Sequence, residues 1–524
     1  MVTRREILTG FGAGALAFAA GTGARAQGRA RDELRVAVAS EWTALDPHFH
    51  SFPANLSIAH HVFDALTATD ADERVVPRLA ESWRPLGGEG WEFKLRAGVK
   101  FSDGSDLTAR DVIASIERVP RVPNSPGPLT VFTRPIASME SPDPLTLIIR
   151  TRDPSPTLPI MLSAVYVVPA RLADATTERF NSGEALIGTG PFKFASWARG
   201  DRLILERNDA HWGGASPWRR VEIRIITATA SRESALLAGD VDFIQNPSTA
   251  SMGRLRRESA VALFQAPSTR ITYLQFNQKP EVLPDVAGTN GRNPFADKRV
   301  RRAVSIAIPR AAIAERVMDG LSVPAGQIVA PRRFGHEPSL GLEPYDIDRA
   351  KALLAEAGYP NGFEVALSTP NDRNINGVQI AQTIAASLTR AGVRTSVNAV
   401  PLNVWLSQWR GGRYSFLMHG FGPPLESLQP VAAMAATKNM QAALGVSNES
   451  GYSSPALDEI ITAALREIDD RRREDLMFQA ARIIREDTAV ICLHHEVLVF
   501  AARRGLQITA RGDERLYATD IRPA

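Results

Sequence analysis

Hydrophobic positions along the chain change period several times, and each change marks an element. The stretch Leu34-Arg35-Val36-Ala37-Val38 alternates with period two and predicts a strand, whereas Ile58, Val62, Phe63 and Leu66 share one side of a helix over 57–66. Alternation returns in Trp91-Glu92-Phe93-Lys94-Leu95-Arg96. Ala97-Gly98 then turns the chain, and 99–101 reads as a further short strand before a turn at Asp103-Gly104. Thr108 followed three residues later by Asp111 is a capping box, which predicts a helix over 109–118 with a favourable negative charge in its first turn. A Pro-rich loop over 120–128 follows.

The second half repeats the mixture. Strands are expected over 192–194, 203–206 and 221–226, a helix over 231–238 stopped by Gly239, and a return strand Val241-Asp242-Phe243-Ile244. A strand over 271–277 leads to helices over 300–307 and 311–317. Asp346 caps a helix with core positions Ala350, Leu353, Leu354 and Ala357, and Gly358 and Pro360 stop it. A strand over 363–368 and a helix over 378–390 continue the alternation. Strand and helix traffic of this kind predicts two α/β lobes, with a β-rich insert in the first.

At 524 residues the chain exceeds one hydrophobic core, and the length predicts about three domains. The net charge of +4 is too small for a concentrated positive field, which argues against a nucleic-acid partner. The arginines at 299, 301 and 302, and those at 471–473, read as solvated helix faces. Cys492 stands alone, so no intrachain disulfide is possible, and its apolar surroundings predict a buried structural thiol. At the amino terminus Arg4-Arg5 precedes a Gly/Ala-rich apolar stretch and Ala24-Arg25-Ala26. That order predicts a cleavable export signal over 1–26, resembling the twin-arginine type, cut near Ala26. Its apolar core is shorter than the ~20 residues a membrane span needs.

The chain lacks a Gly-x-Ser-x-Gly elbow, a phosphate-binding Gly-x-x-x-x-Gly-Lys loop, a Cys-x-x-Cys pair and a His-Glu-x-x-His helix. No catalytic residue and no cofactor is assigned; a secreted hydrolase built on distant carboxylates ranks last. His48 with His50, His60-His61 and His494-His495 invite a metal reading. Adjacent residues on a helix or a strand point in different directions, so packing is preferred and no metal site is assigned.

Ordered motifs then carry a resemblance. Leu45-Asp46-Pro47-His48, the run from Val75-Val76-Pro77-Arg78-Leu79-Ala80-Glu81-Ser82-Trp83, Phe93 through Gly104, Thr108-Ala109-Arg110-Asp111-Val112, Gly188-Thr189-Gly190-Pro191-Phe192, Arg207-Asn208, Gly239-Asp240-Val241-Asp242, Asp297 through Ala303 and Ala355 through Pro360 resemble the family 5 extracellular solute-binding proteins of peptide, nickel and related importers. The resemblance spans nearly all of the chain beyond the signal. It implies a two-lobed, periplasmic-binding-protein-like fold with crossing strands and a domain inserted in the first lobe. The divisions it suggests are 27–68 and 186–268 for lobe I, 69–185 for the β-rich insert, 269–495 for lobe II and 496–524 for a return to lobe I.

It also implies a monomeric, non-enzymatic periplasmic receptor that captures a peptide-like or related small polar solute between the lobes and hands it to a permease and ATPase complex. A metal chelate, opine or sugar derivative is the alternative cargo. By position in the family's order, the cleft is expected to be lined by His50 and Phe52, by Gln245 and Asn246, by Tyr273, and by Trp409, Arg410, Met418, His419 and Phe421. Dipeptide and oligopeptide receptors of this family usually carry an aspartate for the ligand's α-ammonium shortly after a Gly-Trp pair. Here Gly420-Phe421-Gly422 runs into Pro423-Pro424 instead, which puts free α-ammonium recognition in doubt. Glu426, slightly further on, is expected to face the cleft and pair with a ligand amine.

Overall fold

The computed structural model describes residues 32–279, 283–422 and 424–524, so the export signal expected over 1–26 lies outside the described residues. The strand Glu33–Val38 forms as its alternation predicts, and it pairs in parallel with Arg220–Ile225 on one side and Phe243–Gln245 on the other. Antiparallel strands Arg202–Arg207 and Phe192–Ala198 complete this half of the sheet. The helix Thr229–Ala238 ends at Gly239, whose left-handed φ of 76° suits a residue without a Cβ.

Between these strands in sequence, Ala80–Pro85, Gly90–Leu95, Ile136–Asp143 and Thr146–Thr151 make a separate four-stranded antiparallel sheet. The predicted capping box is present: Asp111 accepts the backbone N–H of Thr108 at 2.8 Å at the start of the helix Ala109–Arg118. The expected strand over 99–101 is not formed. Lys100 makes only an isolated bridge to Asp106, because the turns on either side leave no partner strand. The small sheet shares one continuous core with the first lobe through Phe63, Phe93, Tyr166 and Phe180.

The second lobe is built on Phe363–Pro370, which pairs in parallel with both Val393–Val400 and Phe416–Phe421. Apolar layers cover both faces. Leu274, Phe276, Phe363 and Met418 pack on one side with Ile380 and Ile384 of the helix Gly377–Arg390; Ile271, Tyr273, Leu457 and Ile461 pack on the other. The helix predicted over 311–317 is a single turn at Arg310–Ala312 that widens into a π turn at Ile313–Val317.

Two long strands tie the lobes together. Val261–Phe276 and Ile491–Arg503 run antiparallel along most of their lengths. Phe243–Gln245 of the first lobe pairs with 500–502 of the second of them, and Phe416–Phe421 of the second lobe pairs with 271–276 of the first. Only the latter part of Val261–Phe276 reads as a strand in the sequence, because Pro267 interrupts the pattern and lacks a ladder donor. The chain absorbs the proline by shifting register between Pro267 and Ile271, which places the irregularity where the lobes meet.

Candidate functional site

The mouth between the lobes has one wall from each. On the first, Phe52 immediately precedes the helix Pro53–Val62, whose Pro53 at its first position needs no N–H partner. Phe52 is 40% exposed, and His50 stacks on it at 5.7 Å while its Nδ1 lies 3.3 Å from the Thr43 hydroxyl. Gln245 ends its strand and Asn246 turns the chain with φ of 50°, held by a backbone bond to Val499 of 2.8 Å. With Trp42, Ser57 and Glu514, the residues Phe52, Gln245 and Asn246 surround a hollow of about 130 Å³. Four of the residues expected from the sequence therefore meet on this wall. A second hollow of about 140 Å³ spans both lobes, from Ser51, Glu73 and Asp513 to Pro424, Leu425 and Gln429.

In the second lobe Tyr273 and His419 are directly paired across the strands, with ring centres 6.2 Å apart. Trp405 and Trp409, one turn apart on the helix Leu402–Arg410, pack on the His419 ring at 4.4 and 5.7 Å. Phe421, opposite Ile271, is half-buried at the strand end. Burial lowers the His419 pKa to about 3 and raises that of the Tyr273 hydroxyl, so both are neutral at ordinary pH.

Two expected residues stand elsewhere. Met418 points to the other face of the sheet by strand alternation and is fully buried in the core. Arg410 is exposed at the end of its helix. Glu426 lies between Leu425 and Gln429 of the second hollow; its Oε2 accepts the Leu428 N–H at 2.7 Å at the start of the helix Leu428–Ala435, and burial raises its pKa.

A charged group that the sequence did not suggest sits where the long strands change register. Arg270 donates to both oxygens of Glu514, at 2.7 and 3.0 Å, and lies 3.7 Å from Glu496. Burial pushes the Glu496 pKa up to about 7 against the attraction of Arg270. Arg373, on the loop after Phe363–Pro370, feels the same three charges. Beside it Asn374 lies over Gly420, where a Cβ would stand 2.8 Å from the Asn374 Oδ1. No local signal betrays these residues, since Arg270 and Glu514 are 244 positions apart.

Among the described residues, no group of three or more His, Cys, Asp or Glu could hold a metal ion, and no helix is long and apolar enough to cross a membrane. The remaining histidines of the sequence pairs are packing groups: His48 bonds the Tyr166 carbonyl at 2.7 Å, and His61 the Ser57 carbonyl at 2.7 Å. Cys492 is buried and unpaired.

A family model described as bacterial extracellular solute-binding proteins, family 5, matches residues 74–441. The glutathione-binding protein GsiB of Escherichia coli O1:K1 / APEC is 26% identical over 487 residues, 91% of each chain. Heme-binding protein A of Haemophilus influenzae is 26% identical over 459 residues, 81% of this chain and 79% of its own. Among solved structures, HbpA2 from Haemophilus parasuis superposes with a TM-score of 0.81 at 22% identity, covering 94% of this chain and all (100%) of that one. The unliganded open form of the murein tripeptide-binding protein MppA gives 0.80 at 20% identity, over 94% of this chain and 97% of its own.

Proposed function

Since the chain belongs to the family 5 bacterial extracellular solute-binding proteins, and so is a non-enzymatic solute-binding component of an ABC importer, we propose that its cargo is a peptide-like small polar solute held between the two walls described above. The observation that supports this reading is a hollow in the first lobe bordered by Phe52, Gln245 and Asn246, beside a second hollow lined from both lobes by Ser51, Glu73, Asp513, Pro424, Leu425 and Gln429. A solute that touches both walls at once favours the closed arrangement by its difference in affinity for the two, and the membrane complex reads that arrangement. Aromatic faces supply apolar contact and the amides of Gln245 and Asn246 supply hydrogen bonds, a combination suited to a short backbone with small side chains. The cargoes for which two similar proteins are named, glutathione and murein tripeptide, are of this class. The protein acts outside the cytoplasm as a monomer, since one chain furnishes both walls, and its export signal is removed near Ala26.

Purified protein, denatured so that its small molecules are released, gives a mass spectrum in which a peptide-like compound is expected. The stripped and refolded protein then binds that compound with one-to-one stoichiometry by titration calorimetry. Recovery of a compound that lacks any amide bond, with tight rebinding, contradicts the peptide reading.

A further inference from the structure

We propose that the turn over 70–74 and the insert of the first lobe form an electrostatic latch with the second lobe, in which Glu73 with Arg333, Asp72 with Arg332 and Asp153 with Arg466 favour closure before any solute arrives. These are positioning residues, which act on the approach of the lobes and need not touch the solute. The inference goes beyond the cargo reading above and is tested apart from it.

Lobes joined by two long strands close by rotation about them, so every further contact from one lobe to the other biases that rotation. Three ion pairs make such contacts. Glu73 meets Arg333 at 2.9 Å, with the two side chains 9% and 12% exposed; Asp72 meets Arg332 at 3.5 Å and Asp153 meets Arg466 at 2.8 Å in more open settings. The polarity is the same in all three, with the acid on the first lobe or its insert and the arginine on the second lobe. Apolar contact accompanies the charges, because Leu425 and Ile468 of the second lobe pack against the core of the first. Gly512 of the carboxyl-terminal segment lies over the most buried pair. A Cβ there would stand 3.2 Å from both the Glu73 Oε1 and a guanidinium nitrogen of Arg333, and 2.4 Å from the Pro267 carbonyl of the connecting strand.

Each side of the latch is held in shape by its own loop. In the turn over 70–74 the Asp70 carboxylate accepts the Arg74 N–H at 2.9 Å, the Asp70 carbonyl accepts that of Glu73 at 3.0 Å, and Glu73 has a left-handed φ of 61°. Opposite it Arg332 is also left-handed, with φ of 68°; the Ala330 carbonyl accepts the Arg333 N–H at 3.2 Å, and the His336 ring bonds the Val329 carbonyl at 2.9 Å. Left-handed backbone is unfavourable for a residue that carries a Cβ and persists where surrounding contacts fix it. Two such residues on facing loops, each in or beside a charged pair, mark both loops as shaped for this contact. Burial pushes the Glu73 pKa up to about 7 against the pull of Arg333, while Asp513 and Arg511 act on it in opposite senses. Loss of Arg333 therefore leaves a carboxyl that takes up a proton instead of a stranded charge. Since apparent affinity scales with the fraction of molecules in the binding-competent arrangement, a latch that raises the closed fraction strengthens the capture of every solute alike.

The test follows lobe separation in the whole mature protein, stripped of small molecules and refolded, through fluorescent labels placed by way of cysteines at exposed Glu178 of the first lobe and exposed Lys351 of the second. Without solute the parent is expected to populate a closed, high-transfer state. Arg332→Glu combined with Arg466→Glu, both at exposed positions, turns two attractions into repulsions and should lower the ratio of closed to open molecules about fivefold or more. Adding Asp72→Arg and Asp153→Arg should restore the ratio. Arg333→Met should lower it about tenfold, and salt at about 1 M, where the screening length is about 3 Å, should lower that of the parent. Unaltered melting of the variants at exposed positions shows that the fold is intact. All of these measurements are made without solute, so their failure leaves the peptide reading in place. A parent found only in the open state, a ratio unchanged within about twofold in both the reversed and the Arg333→Met variants, or a loss that the restoring substitutions leave uncorrected, overturns the latch.

Discussion

Two histidines, one in each lobe, differ in how their ring nitrogens are satisfied. His48 has both ring nitrogens engaged, by the Tyr166 carbonyl at 2.7 Å and by Arg118 at 3.1 Å, and Arg118 in turn grips both oxygens of Asp46 at 2.8 and 2.7 Å. Thr177 donates a further bond to Asp46 at 2.8 Å. His419 is packed just as closely, by Tyr273, Trp405 and Trp409, yet its Nδ1 and the donors of all three neighbours lack partners. The same residue type is thus fully engaged at His48 and left with an unpartnered ring nitrogen at His419. A satisfied network holds a fold, whereas a buried polar atom without a partner costs it free energy.

The largest expected effect lies in the network around His48. Arg118→Leu strands the Asp46 carboxylate in the interior and should cost about 3–5 kcal/mol in denaturant unfolding, since removing one partner of a buried pair leaves its charge uncompensated. A loss below about 1 kcal/mol would mean that the first-lobe network is not structural.

Next comes a matched pair of substitutions. His48→Phe leaves the Tyr166 carbonyl unpaired and should cost about 1–3 kcal/mol, whereas His419→Phe removes a group that had no partner and should leave stability unchanged or slightly raised. Binding of the released solute should respond in the reverse order, untouched by the first change and weakened about tenfold by the second. Equal effects on stability would erase the contrast between the lobes.

A pH series sharpens it further. The pKa values of His48 and His419 are held at about 4 and about 3, below the ordinary 6.5, so the unfolded chain binds more protons between those values and 6.5. Their contribution to stability is present above pH 6.5 and is lost as pH falls toward 4. Glu496 works in the other direction: its pKa, raised from 4.5 to about 7, makes the folded state the better proton binder, so its contribution is present below pH 4.5 and fades as pH rises through 7. Glu496→Gln, which mimics the neutral form, should therefore stabilise the protein relative to the parent increasingly from pH 5 to 8. A difference in melting temperature that does not change over that range would place the Glu496 carboxyl in a solvated setting.

The smallest effect is expected at the rim, where Arg466 of the second lobe meets Asp153 of the insert at 2.8 Å with both side chains largely exposed. Asp153→Asn should change stability by less than about 1 kcal/mol, and salt should abolish even that.

Much of the scaffold was legible in the sequence because it is written in short range: the capping box at Thr108, the alternation in 34–38 and 91–95, and the glycine stop after Ala238 each use neighbouring residues. The strand Val261–Phe276 was half hidden, because its first part is defined by pairing with Ile491–Arg503 and carries a proline that local rules forbid in a central strand. Tyr273, His419 and Trp409 could be named from family order and do pack together, although strand alternation, once the register is known, turns Met418 away into the core. The backbone bond that Glu426 accepts from Leu428 was not foreseen, because the start of that helix was not visible in an apolar stretch without a capping motif. Arg270, Arg373, Glu496 and Glu514 come together only through the crossing of the strands and the return of the carboxyl-terminal segment, so nothing in their sequence neighbourhoods announces them.

The central claim is that the two walls close on a guest which leaves unchanged. Fluorescent labels at exposed Glu178 of the first lobe and exposed Lys351 of the second, introduced through cysteines while the buried Cys492 is left in place, report the separation of the lobes in single molecules. Adding the solute recovered from the protein should raise energy transfer saturably, with the midpoint at the calorimetric affinity, and the solute should be recovered chemically intact. Transfer that stays constant at saturating solute, or a solute returned with a bond broken, would contradict the account.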